Sequence, residues 1–383
     1  MESAQVPDVT AAPAVLLEGS APSIEVPRPA PPLSSVRPWL QVAGRAVSCL
    51  AALALFILAL EVLKAGAGGV APLLDRVSAE GGLNIFGFGW LAAYGLMSGS
   101  PVAAMALTLF GGGVLSDGEA FAMINGSRYG ASFIVLLVGF LYYLRRQRDP
   151  DGIYIGAVAL LTTFTLYIPS MLLGFLALRE GWLNGLAFGR PALFGSVMNA
   201  IYDPAVDRAS ALLPEAALFL LGMALLLGSF HVFDRALPQL EPPGPRLERA
   251  LAVLHRPWAM FAAGLLVTAV TLSVALSVTL LVPLSLKGLL RRQNIIPYVM
   301  GANISTFGDT LFAATLLGVP RAVTIVLVQM VSAAVVSILV LLLAYGPYRR
   351  LILGLAHAST RSRAGFAVFL GAIVLLPLIL LLL

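Results

Sequence analysis

Between Pro297 and Leu317 (PYVMGANISTFGDTLFAATLL), seven residues that can bind or bend interrupt a segment otherwise apolar enough to lie in a membrane: Gly301, Asn303, Ser305, Thr306, Gly308, Asp309 and Thr310. In lipid such groups are costly unless they face protein or a water-filled cavity, and backbone leaves the helix only in the same places. Two chemistries fit the run. Carbonyl, amide and hydroxyl oxygens at a helix break can hold a small cation, and a helix N-terminus can hold an anion. A bare kink without a ligand is the alternative. The residue types point to a binding site, with Asn303, Ser305, Thr306 and Asp309 as its ligands.

A second polar group, Asn125, Ser127 and Arg128, lies in another apolar stretch. Arg128 can clamp an anion through its bidentate fork, or simply neutralise Asp309. A lone charge at the centre of a membrane helix costs at least about 3 kcal/mol on insertion scales, so each of these two residues calls for a partner. The expectation is an ion pair between them. Ser100, Ser273 and Ser277, with Ser98 and Thr271, fall near two further interruptions and are candidate ligands there, although hydroxyls in membrane helices commonly bond their own backbone. Glu61, near a span end, reads as an interface residue, and Gln329 as an interhelical hydrogen-bond partner.

The chain contains no HExxH, P-loop, nucleophile-elbow or paired-carboxylate pattern; its histidines, His231, His255 and His357, are far apart, and its single cysteine is Cys49. Enzymatic chemistry and a resident metal or organic cofactor are therefore not expected.

The elements that must carry these residues are membrane spans. Of 383 residues, 59% are hydrophobic and 11% charged, and the mean hydropathy is +0.93, so the lipid bilayer is the expected surrounding. The net charge of +5 is spread in short clusters between apolar runs. That is positive-inside patterning of a multi-pass protein of the plasma (inner) membrane, and it leaves nucleic acid a poor partner. Residues 1–38, rich in Pro, Ala and Ser, read as a disordered tail without the pattern of a cleaved signal peptide. Spans follow at about 43–63, 84–112 (broken at Ser98-Gly99-Ser100-Pro101), a stretch ending near Leu144, and 153–178. Residues 181–210 read as an extracytoplasmic loop or interfacial segment.

The pattern then restarts, with spans at about 211–232, 257–286 (interrupted at Thr271 and Ser273), the opening stretch, 322–345, an arginine-bearing loop (Arg349, Arg350, Arg361, Arg363), and 365 to the C-terminus. Asn125 and Asn303 take corresponding places 178 positions apart. The turn before the first is acidic (Asp117, Glu119) and the turn before the second basic (Lys287, Arg291, Arg292), which puts equivalent loops on opposite faces and the N-terminus in the cytoplasm. The expected fold is an all-α polytopic membrane protein with two inverted-topology repeats, 39–210 and 211–383, each with a re-entrant broken hairpin and a discontinuous helix.

The run GANIST (Gly301–Thr306) resembles the Gly-Ala-Asn-Ile-Gly-Thr-Thr signature of the type II sodium/phosphate cotransporter family, and Leu53–Leu58 and Leu218–Gly222 resemble the Leu-Phe-rich span that opens each family repeat. The resemblance implies Na+-coupled symport of phosphate or another small inorganic or organic anion through a site between the repeats, with Na+ held at Asn303, Thr306 and Asp309. The family's Gln-Ser-Ser-Ser motifs fall here on Tyr94-Gly95-Leu96-Met97 and Leu272-Ser273-Val274-Ala275. This divergence implies an altered solute, or a non-transporting scaffold or regulator that kept the fold and lost the cradle.

Overall fold

The computed structural model describes residues 38–77, 81–145, 151–186, 192–236, 256–273, 277–278, 281–286 and 292–383. The tail, Arg146, Arg148, Lys287 and Arg291 lie outside these residues. The described chain is helical, without strands.

The first half comprises α1 (Pro38–Ala65), α2 (Ala71–Val77), α3 (Gly82–Gly95), α4 (Ser100–Gly111), α5 (Asp117–Arg145), α6 (Asp151–Glu180) and α7 (Ala192–Leu212). The second comprises α8 (Glu215–Ala236), α9 (Pro257–Thr271), α10 (Leu281–Leu286), α11 (Arg292–Ser305), α12 (Phe307–Leu316), α13 (Pro320–Leu339), α14 (Tyr345–Thr360) and α15 (Arg363–Leu382). Proline opens α1, α9 and α13, where a missing N–H costs no intrahelical bond. Six helical segments among the described residues are long and apolar enough to cross a membrane: 43–65, 117–141, 152–180, 215–236, 320–360 and 363–382. Each coincides with an expected span, with 320–360 running longer than anticipated, while the expected stretches 84–112, 257–286 and 297–317 carry shorter helices that are not among the six. The arginine-bearing loop is instead mostly helix: a π-helical turn at 340–344 carries α13 into α14, which packs on α6 through Tyr348 and Tyr154. Residues 192–212, read as loop or interface, form α7, which is not among those six.

The halves repeat each other's packing 175 positions apart. Gly82 opens α3 and Pro257 opens α9; Asp117 opens α5 and Arg292 opens α11. Met97 after α3 and Leu272 after α9 both adopt left-handed backbone, at φ 50° and 51°. On α5, Gly126 meets α3 so closely that a Cβ would lie 2.1 Å from the Phe86 carbonyl; on α11, Gly301 meets α9 with a Cβ position 2.0 Å from the Phe261 carbonyl. Gly89 and Gly264 make the reciprocal approaches, to Met123 and Tyr298. In this register Asn303 stands opposite Arg128, and the pairing of Asn303 with Asn125 does not hold.

The expected discontinuity is absent from the first half and present at one residue of the second. α5 runs unbroken past Asn125, Ser127 and Arg128, because Gly126 serves close helix packing and the Asn125 amide donates to the Phe121 carbonyl within its own helix. Gly301 likewise lies inside α11, and only Thr306 separates α11 from α12, with right-handed backbone whose N–H still donates to the Ala302 carbonyl. Of the carbonyls that close α11, that of Ala302 accepts from the Thr306 N–H and that of Asn303 from the Tyr167 hydroxyl.

Two apolar cores fill the interior. One collects Trp90, Phe121, Ile124, Phe307 and Val326, the other Val135, Leu160, Met260, Tyr298 and Met300. α5 and α6 pass through both, and the α11–α12 junction crosses from one to the other. Polar side chains gather at this seam.

Candidate functional site

Arg128 sits 11 residues into α5, about 16 Å along it at 1.5 Å per residue and so half the roughly 30 Å of a hydrocarbon core. Its side chain is 3% exposed. Nη2 lies 3.5 Å from the Asp309 Oδ1 atom of α12, so the expected pairing of the two charges is present. Nη1 donates to the Thr306 hydroxyl at 3.0 Å and Nη2 to the Thr310 hydroxyl. The guanidinium carbon stands 4.8 Å from the centroid of the Phe307 ring, a cation–π contact that supports the flat side of the fork. Asp309 Oδ1 also accepts from the Thr310 backbone N–H and hydroxyl. Placed in the first turn of α12, this carboxylate is on the favourable side of the helix dipole.

Asn303 lies on the adjoining side of the seam. Its side-chain amide donates to Thr163 Oγ1 of α6 at 3.1 Å, and its backbone carbonyl accepts from the Tyr167 hydroxyl at 2.9 Å. Thr163 and Tyr167 are i and i+4 on α6, so one face of that helix holds the side chain and the backbone of Asn303. Neither was singled out from sequence. The signal was there in the run Leu161–Tyr167 (LTTFTLY), which puts four hydroxyls into an otherwise apolar span. Thr310 and Phe307 were likewise passed over as ligands. Tyr129, Phe164, Tyr167 and Phe307 stack or tilt against one another and wall the site.

The other expected residues are placed less directly. Asn125 precedes Arg128 by one turn, buried on the same side of α5. Ser127 and Ser305 donate to carbonyls of their own helices, the bland outcome for a membrane hydroxyl. Gly99, beside Ser100, abuts the Ser127 carbonyl, where a Cβ would lie 2.8 Å away, so the α3–α4 turn touches α5 next to Arg128. Ser277 belongs to a separate network, accepting from Thr268 at 2.6 Å and bonded to the Tyr298 hydroxyl at 2.8 Å. Ser273 lends its carbonyl to Thr271. The three residues assigned to Na+ do not form an open cage. Thr306 and Asp309 are engaged by the guanidinium, and Asn303 Oδ1 accepts from Thr163.

Five buried polar side-chain atoms among the described residues have no hydrogen-bond partner: Asn125 Oδ1, Arg128 Nε, Asp309 Oδ2 and both amide atoms of Gln329. Gln329, on α13, reaches α6 at Gly174, where a Cβ would lie 3.0 Å from Gln329 Oε1. Native proteins satisfy nearly all such atoms; here two of the five belong to the ion pair itself and a third lies one helical turn before Arg128, which marks a place built to meet something else. At the rim, Arg321 at the start of α13 pairs with Asp117 at the start of α5 and donates to Asn184. Both of these ion pairs link the first half of the chain to the second.

No protein-family model, no curated protein and no solved structure matches the chain.

Proposed function

We propose that this protein is a secondary active transporter, carrying a small polar solute with an anionic group across a membrane through the Arg128–Asp309 seam. The observation that carries the reading is a buried ion pair that joins the two halves of the chain and leaves a polar atom unpartnered on each of its members. Ionisable groups inside a membrane are expensive and mark solute or ion pathways. A pair whose members belong to different halves can be made and broken as the halves move.

The 175-residue repeat supports an alternating-access arrangement, and the opposite charge of equivalent turns supports an inverted relation between the repeats, with the left-handed turns at Met97 and Leu272 as re-entrant tips. The resemblance of Gly301–Thr306 to the sodium/phosphate cotransporter signature supports Na+ as the driving ion and the inner membrane as the location.

The test is thermal unfolding of the purified protein with Na+, phosphate, sulfate and small carboxylates, followed by uptake into proteoliposomes. A native-state ligand raises the midpoint by mass action, by about 2.7 kcal/mol of stability at a hundredfold excess over Kd. Saturable stabilisation with ion-dependent uptake is expected. Absence of any response would favour a scaffold in which Asp309 permanently fills the guanidinium, a reading that the existing pair itself supports.

A further inference from the structure

The unpartnered atoms around Arg128 differ in charge. Arg128 Nε is an N–H donor on a cation, Asp309 Oδ2 an acceptor on an anion, and Asn125 Oδ1 a neutral acceptor one turn before Arg128 on the same helix. The site therefore offers one positive donor and two oxygen acceptors, one of them charged. Its formal charge is zero, and its surroundings add nothing. α4 carries no ionisable residue, α6 carries none with a full charge between Gly152 and Leu178, and α11 none between Gln293 and Ser305. The one charged residue of α13 is Arg321, committed to Asp117 at the rim. Tyr129 and Tyr167 contribute neutral hydroxyls.

A bare anion fits this pattern poorly. A monoanion would leave a net −1, and a phosphate dianion a net −2, in a low-dielectric interior that penalises uncompensated charge. A phosphate group also needs several donors, while Arg128 spends Nη1 and Nη2 on Thr306, Thr310 and Asp309. A ligand with a carboxylate and an ammonium a bond or two apart meets each unpartnered atom with its complement and leaves the total charge at zero. We propose that the solute is a small zwitterion of the amino-acid class, its carboxylate on Arg128 Nε and its ammonium between Asp309 Oδ2 and Asn125 Oδ1. The ammonium then takes the carboxylate otherwise expected to hold a metal cation. The aromatic wall of Tyr129, Tyr167 and Phe307 keeps the side chain of such a ligand small and apolar.

This inference rests on the reading of the seam as a solute site, and the test separates the two. The purified full chain is heated with glycine, L-alanine, acetate, methylammonium or phosphate, each at matched ionic strength. Glycine and alanine are expected to raise the midpoint saturably, while acetate, methylammonium and phosphate at the same concentration do not. D309N makes the site cationic, and in it the preference should reverse, with glycine affinity falling at least tenfold and acetate gaining. A purely structural carboxylate would not exchange one ligand class for another. N125A, which keeps the ion pair, should weaken glycine several-fold and guards against a D309N protein that does not fold. Stabilisation of the wild type by acetate or phosphate and not by glycine would overturn the zwitterion while leaving the transporter standing. No stabilisation by any of the five ligands would overturn both.

Discussion

Arg128 and Asn303 occupy the same place in two helices that the chain builds twice, yet they do different work. Each follows a glycine pressed onto the carbonyl of a phenylalanine two helices earlier, Gly126 on Phe86 of α3 and Gly301 on Phe261 of α9. Each lies 11 residues past the start of its helix, at the seam between the two cores, Arg128 within α5 and Asn303 in the last turn of α11. In the first half the position bears a full charge that reaches across to Thr306, Asp309 and Thr310; in the second it bears a neutral amide that reaches across to Thr163. The lesson is that the packing is symmetric and the chemistry is not. Close backbone approach tolerates only glycine, so it resists change, whereas a side chain pointing into the seam is free to diverge as long as its partner diverges with it.

The comparison breaks most visibly at the charged position. Arg128→Ala strands the Asp309 carboxylate in a buried setting and should cost about 3–5 kcal/mol, read as a large drop in unfolding midpoint. Asp309→Ala should do the same to the guanidinium. The double variant Arg128→Ala/Asp309→Ala should recover part of the loss, and a double variant as damaged as the worse single one would mean that the two charges act independently.

Next in size is the shared packing. Gly126→Ala and Gly301→Ala each force a methyl group to within about 2 Å of a backbone carbonyl. Each should cost about 1–3 kcal/mol, and the two losses should match; a large inequality would show that one half carries the fold and the other follows. Smaller still, Asn303→Ala should cost about 1 kcal/mol for its hydrogen bonds to Thr163, and in a Thr163→Val background that cost should mostly vanish. Smallest, Asp117→Asn removes an ion pair whose members are about a third exposed. It should change stability by no more than about 1 kcal/mol, with an effect that fades as salt is raised.

Much of the fold was legible because lipid makes the rules strict. Apolar runs bounded by charge located the spans, and the cost of an isolated charge was enough to anticipate the Arg128–Asp309 contact with no geometry in hand. The register of the repeat was misread because matching asparagines, Asn125 and Asn303, suggested 178, whereas glycines at helix crossings set 175. Composition alone does not tell a glycine that breaks a helix from one that packs it: a discontinuous helix is expected in each half, yet α5 is continuous past Gly126 and the second run is interrupted at Thr306, not at Gly301. Thr163 and Tyr167 escaped notice for a different reason. Hydroxyls in a membrane helix usually satisfy themselves, and only tertiary placement reveals the one that faces a neighbour.

Trp90 has a use of its own. Its indole is buried against Tyr129 and Phe164, with Nε1 donating to the Tyr94 hydroxyl at 2.7 Å, and the rings of Tyr129, Tyr167 and Phe307 connect it to the guanidinium. Trp182 and Trp258, by contrast, are 59% and 45% exposed. A protein with phenylalanine in place of every tryptophan except Trp90 would thus carry a fluorophore in the wall of the seam, and its emission would follow, in real time and without any label, each change in what lies beside Arg128.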